Sequence, residues 1–195
     1  ALHRQLLRQP NLLPDGTTLL IALSGGQDSM ALLGLLLGLQ PLHHWHIQLW
    51  HGDHGWHVQS ATIASELKAW CQDQKLDLQI SRTTRENTGT EASARSWRYQ
   101  ELAALSQQLC CRTVLTAHTA SDRAETLILQ LARGTDLAGL GSLRPIRPLQ
   151  NNDPSGPRLV RPLLSFSRDD TAQICQDLKL PIWLDPSNAN PAFSR

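Results

Sequence analysis

Lysine is scarce in this chain: three residues in 195, against fifteen arginines. Arginine is the better fork for phosphate oxygens, so the skew fits local phosphate contacts, and a GC-rich coding bias produces it equally well. Charge of one sign is also lacking. The formal net charge is +1, so nothing global demands a nucleic acid or a membrane surface as partner. The four cysteines, Cys71, Cys110, Cys111 and Cys175, include no C-x-x-C pair, which argues against a zinc ribbon or a dithiol redox motif. Scattered thiols without a secretion signal point to a reducing cytoplasm. The richest apolar run, from Met30 to Leu37, is too short and too interrupted by glycine to span a membrane. Internal repeats and low-complexity tracts are absent from the sequence. Length and a 41% hydrophobic content suffice for one sizeable core with a short extension.

What is present is organised around residues 17 to 37. TTLLIAL is short and apolar, as a buried strand is, and MALLGLLL reads as a buried helix. Between them lie Ser24, Gly25, Gly26, Gln27, Asp28 and Ser29. Two glycines let the backbone turn sharply and let a ligand approach main-chain N–H groups. The helix that follows aims free N–H groups and a partial positive charge at the same place, which makes an anion site, phosphate above all. The serines add hydroxyl donors, and Asp28 can hold a Mg²⁺ that phosphates also bind. A bare strand-to-helix turn with serine capping is the bland alternative. A Walker A loop is excluded, because its lysine is missing.

Along the chain, residues 1 to 14 read as a short amphipathic lead-in helix that ends in the Pro14-Asp15-Gly16 turn. Gln40-Pro41 is expected to break the helix after the glycine turn. His46 to Trp50 reads as a second strand, Ser60 to Gln74 as a helix and Leu76 to Arg82 as a third strand. His51, His54 and His57 recur every third residue, which invites a metal reading, although loop histidines of this kind are more often structural. Glu91 opens a helix to about Leu109. In it Glu91 and Arg95 are spaced for a salt bridge, and Arg95 and Arg98 share a face from which either could reach phosphate. Thr113 to Ala117 reads as a fourth strand ending at His118. The next helix starts with Asp122 and Glu125 in capping-box spacing and stops at Gly134. Those acids also stand where open α/β sheets place ligands, and two neighbouring carboxylates there could hold an ammonium. Arg158 to Leu164 suggests a short strand, Arg168 to Leu178 a helix and Ile182 to Leu184 a brief strand. Strands alternating with helices through residue 133 argue for an α/β fold, a doubly wound, mostly parallel sheet. The phosphate turn and the acids should then converge at one sheet edge. One domain over 1–195 is expected, its core at about 17–133 and residues 134–195 an extension completing the active site.

Several strings carry a family resemblance. SGGQDS resembles the PP-loop of the N-type ATP pyrophosphatases, which split ATP between the α- and β-phosphates and grip the pyrophosphate. HGDHGWH, EASARSWRY, TAHTASDRAETLILQLARGT, RPLL and the terminal WLDPSN…SR extend the match from Leu19 to Arg195. The whole resembles the tRNA(Ile)-lysidine synthetase family. Gly52, Trp56, His57 and Thr119 depart from its pattern, the last two standing where an arginine and a second histidine are usual. The resemblance implies a ligase with ATP and Mg²⁺ as cofactors, free L-lysine and a tRNA(Ile) with a CAU anticodon as partners, no membrane, and a homodimer left open. It implies nucleotide binding by Ser24, Gly25, Gly26, Gln27, Asp28 and Ser29, with Asp28 as metal ligand. Catalysis would fall to Asp28, Arg95 at the α-phosphate, His118, Asp122 and Glu125. It also implies a further tRNA-binding part beyond Arg195. Two other readings are a PP-loop thiolation enzyme, for which Cys110-Cys111 is badly placed, and a nucleotide-binding module without turnover.

Overall fold

Leu19, Leu20 and Ile21 are wholly buried, so the strand they form is covered on both faces, as a central parallel strand must be. In the computed structural model, which describes residues 1–56, 58–84, 89–132, 134, 143–150 and 152–183, that strand is β1 (Thr18–Ala22). It pairs in parallel with β2 (His46–Asp53) on one side and β4 (Thr113–Leu115) on the other. β3 (Leu78–Arg82) extends the sheet beyond β2, and β6 (Arg158–Val160) extends it beyond β4. β5 (Ile146–Pro148) closes that side antiparallel to β6, giving the order β3-β2-β1-β4-β6-β5.

The strand pleat sorts the core into two layers. Leu19 and Ile21 point to one face and Leu20 to the other. The first face meets α1 (Leu2–Arg8), α2 (Gln27–His43), α3 (Ser60–Asp73) and α6 (Arg168–Asp177) through Leu6, Leu32, Leu33, Leu36, Leu67, Cys71 and Cys175. The second meets α4 (Glu91–Gln108) through Leu102, Ala103 and Leu105. The remaining helix, α5 (Ala120–Ala132), buries only Asp122 in its first turn. Helices on both faces of a mostly parallel sheet are the expected doubly wound α/β fold.

Strand order reverses between β1 and β4, and ligands bind at the carboxyl ends flanking such a point. The turn after β1 and the residues after β4 therefore meet there, as expected. Other expectations are corrected. The lead-in helix α1 stops at Arg8, capped at Gln9, so Pro10 to Pro14 are turn and loop rather than helix. Pro41 lies inside α2, which continues to His43 and stops at His44 with φ of 54°. In the last turn a proline sacrifices one hydrogen bond and need not end the helix. β6 stops at Val160, and β5 is a strand that its Arg-Pro-rich sequence concealed; its proline is tolerated because the strand is at the edge. Ile182 and Trp183 are not in a strand, and Leu184 lies outside the described residues.

Candidate active site

The main chain stays tied to the sheet one residue beyond β1, where Leu23 N–H donates to Trp50 O at 2.8 Å. It then turns at Gly25, whose φ of +83° suits glycine. Gly26 is the N-cap of α2, and Gln27, Asp28 and Ser29 form its first turn. Their N–H groups have no intrahelical acceptor and sit at the positive end of the helix, so the turn has the form of an anion cradle. It is braced from within. Ser24 Oγ donates to Ser29 Oγ at 3.0 Å and accepts from Gly26 N–H at 3.3 Å, and Ser29 Oγ donates to Gly26 O at 2.9 Å. Outside support comes from Trp183. Its main-chain N–H donates to Gly25 O at 2.9 Å, and its ring lies 3.4 Å from where a Cβ on Gly25 would stand. The Gln27 side chain turns away, donating to Arg168 O at 2.7 Å and Thr171 Oγ1 at 2.8 Å, so its main chain alone belongs to the cradle.

Asp28 accepts a hydrogen bond from Thr171, a fully buried residue of α6. Burial pushes the Asp28 carboxyl above its ordinary range, and the negative charge of Asp122 pushes it further. Thr171 and the Arg168 guanidinium pull the other way without reversing the shift. Two carboxylates that repel one another in a half-buried place attract a cation. Hard oxygen donors beside a phosphate cradle suit Mg²⁺, which takes one or two carboxylates and fills its shell with phosphate oxygens and water. Among the described residues no three His, Cys, Asp or Glu side chains gather into a cage of their own.

His118 and Thr119 follow β4. The His118 ring is set by Nδ1 at 2.9 Å from Thr116 Oγ1. Thr119 is wholly buried, and its N–H and Oγ1 donate to Asp122 Oδ2 at 2.8 and 3.1 Å. The capping arrangement is thus three residues earlier than the Asp122–Glu125 spacing suggests, with Asp122 reaching back from the third helical position. Ala120 N–H donates to Phe166 O at 2.8 Å, which fixes where the chain turns into α5. Thr119, where the family pattern has a histidine, is the hydroxyl at that helix start. Glu125 is left half exposed, 3.9 Å from Arg168 Nη2. Gly134 closes the far end at φ +70°, its N–H on Leu131 O, as expected.

Arg95 and Arg98 part company. Arg98 Nη2 lies 3.3 Å from His54 Nε2, whereas exposed Arg95 lies over the Tyr99 ring, 5.6 Å from its centroid. The ion pairs within 4 Å among the described residues do not include Glu91 with Arg95. His51 and His54 of HGDHGWH have structural work. His51 Nδ1 donates to Leu23 O at 2.8 Å, bracing the entrance to the turn, and His54 packs edge-on to Trp97. A Cβ on Gly52 would come within 2.5 Å of the Trp50 ring, which explains the small residue there. His57 and the terminal WLDPSN…SR from Leu184 onward lie outside the described residues.

Buried Cys71, Cys111 and Cys175 have thiols pushed up by burial, Cys71 to about 11, the opposite of an activated nucleophile. Sequence reasoning missed Thr171, Arg168 and Trp183. The Ser167–Asp170 capping box marks the start of α6, but no local pattern tells that its first turn meets Asp28.

The structure superimposes on the U34-tRNA thiolase NcsA from Methanococcus maripaludis, solved with its [4Fe-4S] cluster. The TM-score is 0.73 over 93% of this chain and 63% of that one; at 17% identity the likeness is one of fold. Higher identity is found with the tRNA(Ile)-lysidine synthase of Parasynechococcus marenigrum (strain WH8102), 60% over 194 residues, covering 100% of this chain and 57% of the relative. A tRNA(Ile)-lysidine synthase of Prochlorococcus marinus is 52% identical over 201 residues, covering 100% and 59%. The chain thus spans between 57% and 59% of the length of these curated relatives. Residues 2–195 match the model of the PP-loop domain, and the chain belongs to that family.

Proposed function

We propose that this chain carries the catalytic part of a tRNA(Ile)-lysidine synthetase. In the first step ATP adenylates the C2 carbonyl oxygen of the wobble cytidine in a tRNA(Ile) with a CAU anticodon, and pyrophosphate leaves. In the second, the ε-amine of free L-lysine attacks C2, the C–O bond to the adenylate breaks, and AMP leaves. The supporting observation is Arg168 at the start of α6: its carbonyl accepts from the Gln27 side chain of the phosphate turn at 2.7 Å, and its guanidinium stands 3.9 Å from Glu125 of α5, so the turn and an acid of α5 share one residue. The relatives named for this activity agree with it.

The roles follow from chemistry. The N–H groups of Gly26 to Ser29, with the Ser24 and Ser29 hydroxyls, hold the pyrophosphate. Asp28 would hold Mg²⁺, which when bound would supply positive charge for a departing pyrophosphate. Arg95 meets charge developing at the α-phosphate. Asp122 and Glu125 recruit the lysine ammonium, and one of them takes a proton before the amine attacks. His118, set by Thr116, serves the reacting centre. Thr171 and Trp183, both beyond residue 134, support the reading of 134–195 as the part that completes the site. No helix among the described residues is long and apolar enough to cross a membrane, and we place the reaction in the cytoplasm.

The test is pyrophosphate release from ATP, with and without tRNA(Ile), and AMP release with lysine, arginine or ornithine. Pyrophosphate should require tRNA, and AMP should follow lysine ahead of the other two. Release indifferent to tRNA refutes the proposal. ATP binding without any turnover favours a nucleotide-binding module instead.

A further inference from the structure

Three guanidiniums gather where no described residue offers them an acid. β-Strand alternation puts Leu159 and Arg161 on the α4 side of the sheet, and Arg147 pairs across from Leu159 on that same side. Tyr99, one turn after Arg95 in α4, faces them. Arg147 lies 5.0 Å from the Tyr99 ring centroid and Arg95 lies 5.6 Å from it. Arg161 is 1% exposed; its Nη1 donates to Arg144 O at 2.9 Å, and its Nε is buried without a hydrogen-bond partner. Arg147 is anchored by Nη1 on Pro148 O at 2.7 Å and Leu149 O at 3.2 Å. Among the described residues, no Asp or Glu forms an ion pair with any of the three.

Such a cluster is costly as it stands. A buried cation without a counter-charge is among the most destabilising features a fold can carry, and like charges around it add to the cost. Burial and the other two arginines all pull the Arg161 guanidinium below its ordinary value, and the phenol of Tyr99 resists through its charge and its hydrogen bond. Burial pushes the Tyr99 phenol up, but Arg95, Arg147 and Arg161 outweigh it and draw it down. Both responses are those of a place built for negative charge.

We infer that Arg95, Arg147 and Arg161 form, around Tyr99, a receptor for a phosphate group. Arg161 supplies fixed charge from below, and Arg147 and Arg95 supply the donors that reach the ligand. Arg161 follows the last residue of β6, two strands from β1, so the receptor lies about 10 Å along the sheet from the phosphate turn. At that distance it is separate from the pyrophosphate cradle and can take either a phosphate of bound nucleotide or a phosphodiester of the RNA. The choice between these two sources rests on the function proposed above; the receptor itself does not.

Arg147→Gln removes a charge and a fork without touching the cradle. The full chain and this variant are titrated with ATP and, separately, with an anticodon stem–loop RNA over a range of salt. The expected result is an about tenfold weaker Kd for the probe whose phosphate the receptor holds. If that probe is the RNA, the slope of log K against log salt also falls by about 0.7. Loss with ATP alone assigns the nucleotide phosphate; loss with RNA alone assigns the phosphodiester. Unchanged affinity for both overturns the receptor. A second readout needs no variant. Tyr99 is the only tyrosine in the chain, so its phenolate absorbance reports the site directly. Bound phosphate should move its ionisation to higher pH, and an ionisation indifferent to both probes overturns the inference too. Neither readout requires turnover, so a failure of lysine ligation leaves them standing.

Discussion

Replacing Glu125 by glutamine distinguishes an acid on a helix surface from one that receives an ammonium. Glu125 is 53% exposed, and its cationic neighbour Arg168 stands at 3.9 Å, the limit for an ion pair. Removing that pair costs about 0.5 kcal/mol at most, a fall in Tm of roughly 1–2 °C for a chain of this size. A lysine ammonium held there loses a charge-assisted hydrogen bond worth about 1.5–3 kcal/mol, which raises its KM by about 10- to 150-fold. Stability and substrate affinity therefore respond on different scales. Asp122→Asn is the companion. Asparagine keeps an oxygen for the Thr119 N–H but gives up a charge at the positive end of α5, a loss of about 0.5 kcal/mol, offset by relief of its repulsion with Asp28. Steady-state kinetics in lysine give the KM, and pre-steady-state pyrophosphate release without lysine isolates the first step, which both variants should retain. Wild-type lysine dependence in both would refute the reasoning: the acids would then serve only to shape the start of α5.

Asp28→Asn should abolish pyrophosphate release while leaving the fold intact. Because the folded state raises this carboxyl, its contribution to stability is present below pH 3.8 and lost as pH rises through the folded-state value; the variant should match or exceed wild-type Tm at pH 8, with the difference shrinking toward pH 4, and the reverse trend would contradict the shift. Arg95→Ala should lower kcat more than it raises the KM for ATP, whereas Glu91→Ala should leave both alone; unchanged turnover in the first would reduce Arg95 to a surface residue stacked on Tyr99. Thr171→Val removes a hydrogen bond that lowers the Asp28 pKa, so the acid limb of the pH–rate profile should move to higher pH, and an unmoved limb would separate Asp28 from that limb.

The parts legible in the sequence are those whose signals are local. A buried apolar run, two glycines and a Leu-rich helix lie within about twenty residues, and alternation through residue 133 then dictates a parallel sheet. Capping was half legible: the acids at 122 and 125 carry the right spacing, but Phe166 fixes the first turn at Ala120, and sequence spacing cannot register a carbonyl from another element. β5 was hidden because Arg-Pro steps give no period-two signal in a three-residue edge strand. Thr171 on Asp28, Trp183 on Gly25 and Arg161 beneath Tyr99 are pairings between distant residues, each ordinary in its own neighbourhood. They emerge only when the topology brings β6 beside β4 and α6 against α2.

The outer supports of the phosphate turn have a consequence for the order in which the molecule is made. Gln27 is fastened to Arg168 and Thr171, 141 and 144 residues further along, and Gly25 to Trp183. A polypeptide emerging from the ribosome exposes the turn well before its fasteners. Closing such long loops is slow, and it cannot begin before the second partner exists. A nascent chain that has reached β4 can assemble the middle of the sheet, yet its glycine turn still lacks outer anchors. Nucleotide cannot steady the early stages of folding, because the grip on it is completed only when α6 and Trp183 have emerged. A fragment ending before residue 168 should pair its strands and bind ATP poorly, which a stalled-chain series of increasing length would reveal as a late, abrupt gain of nucleotide affinity.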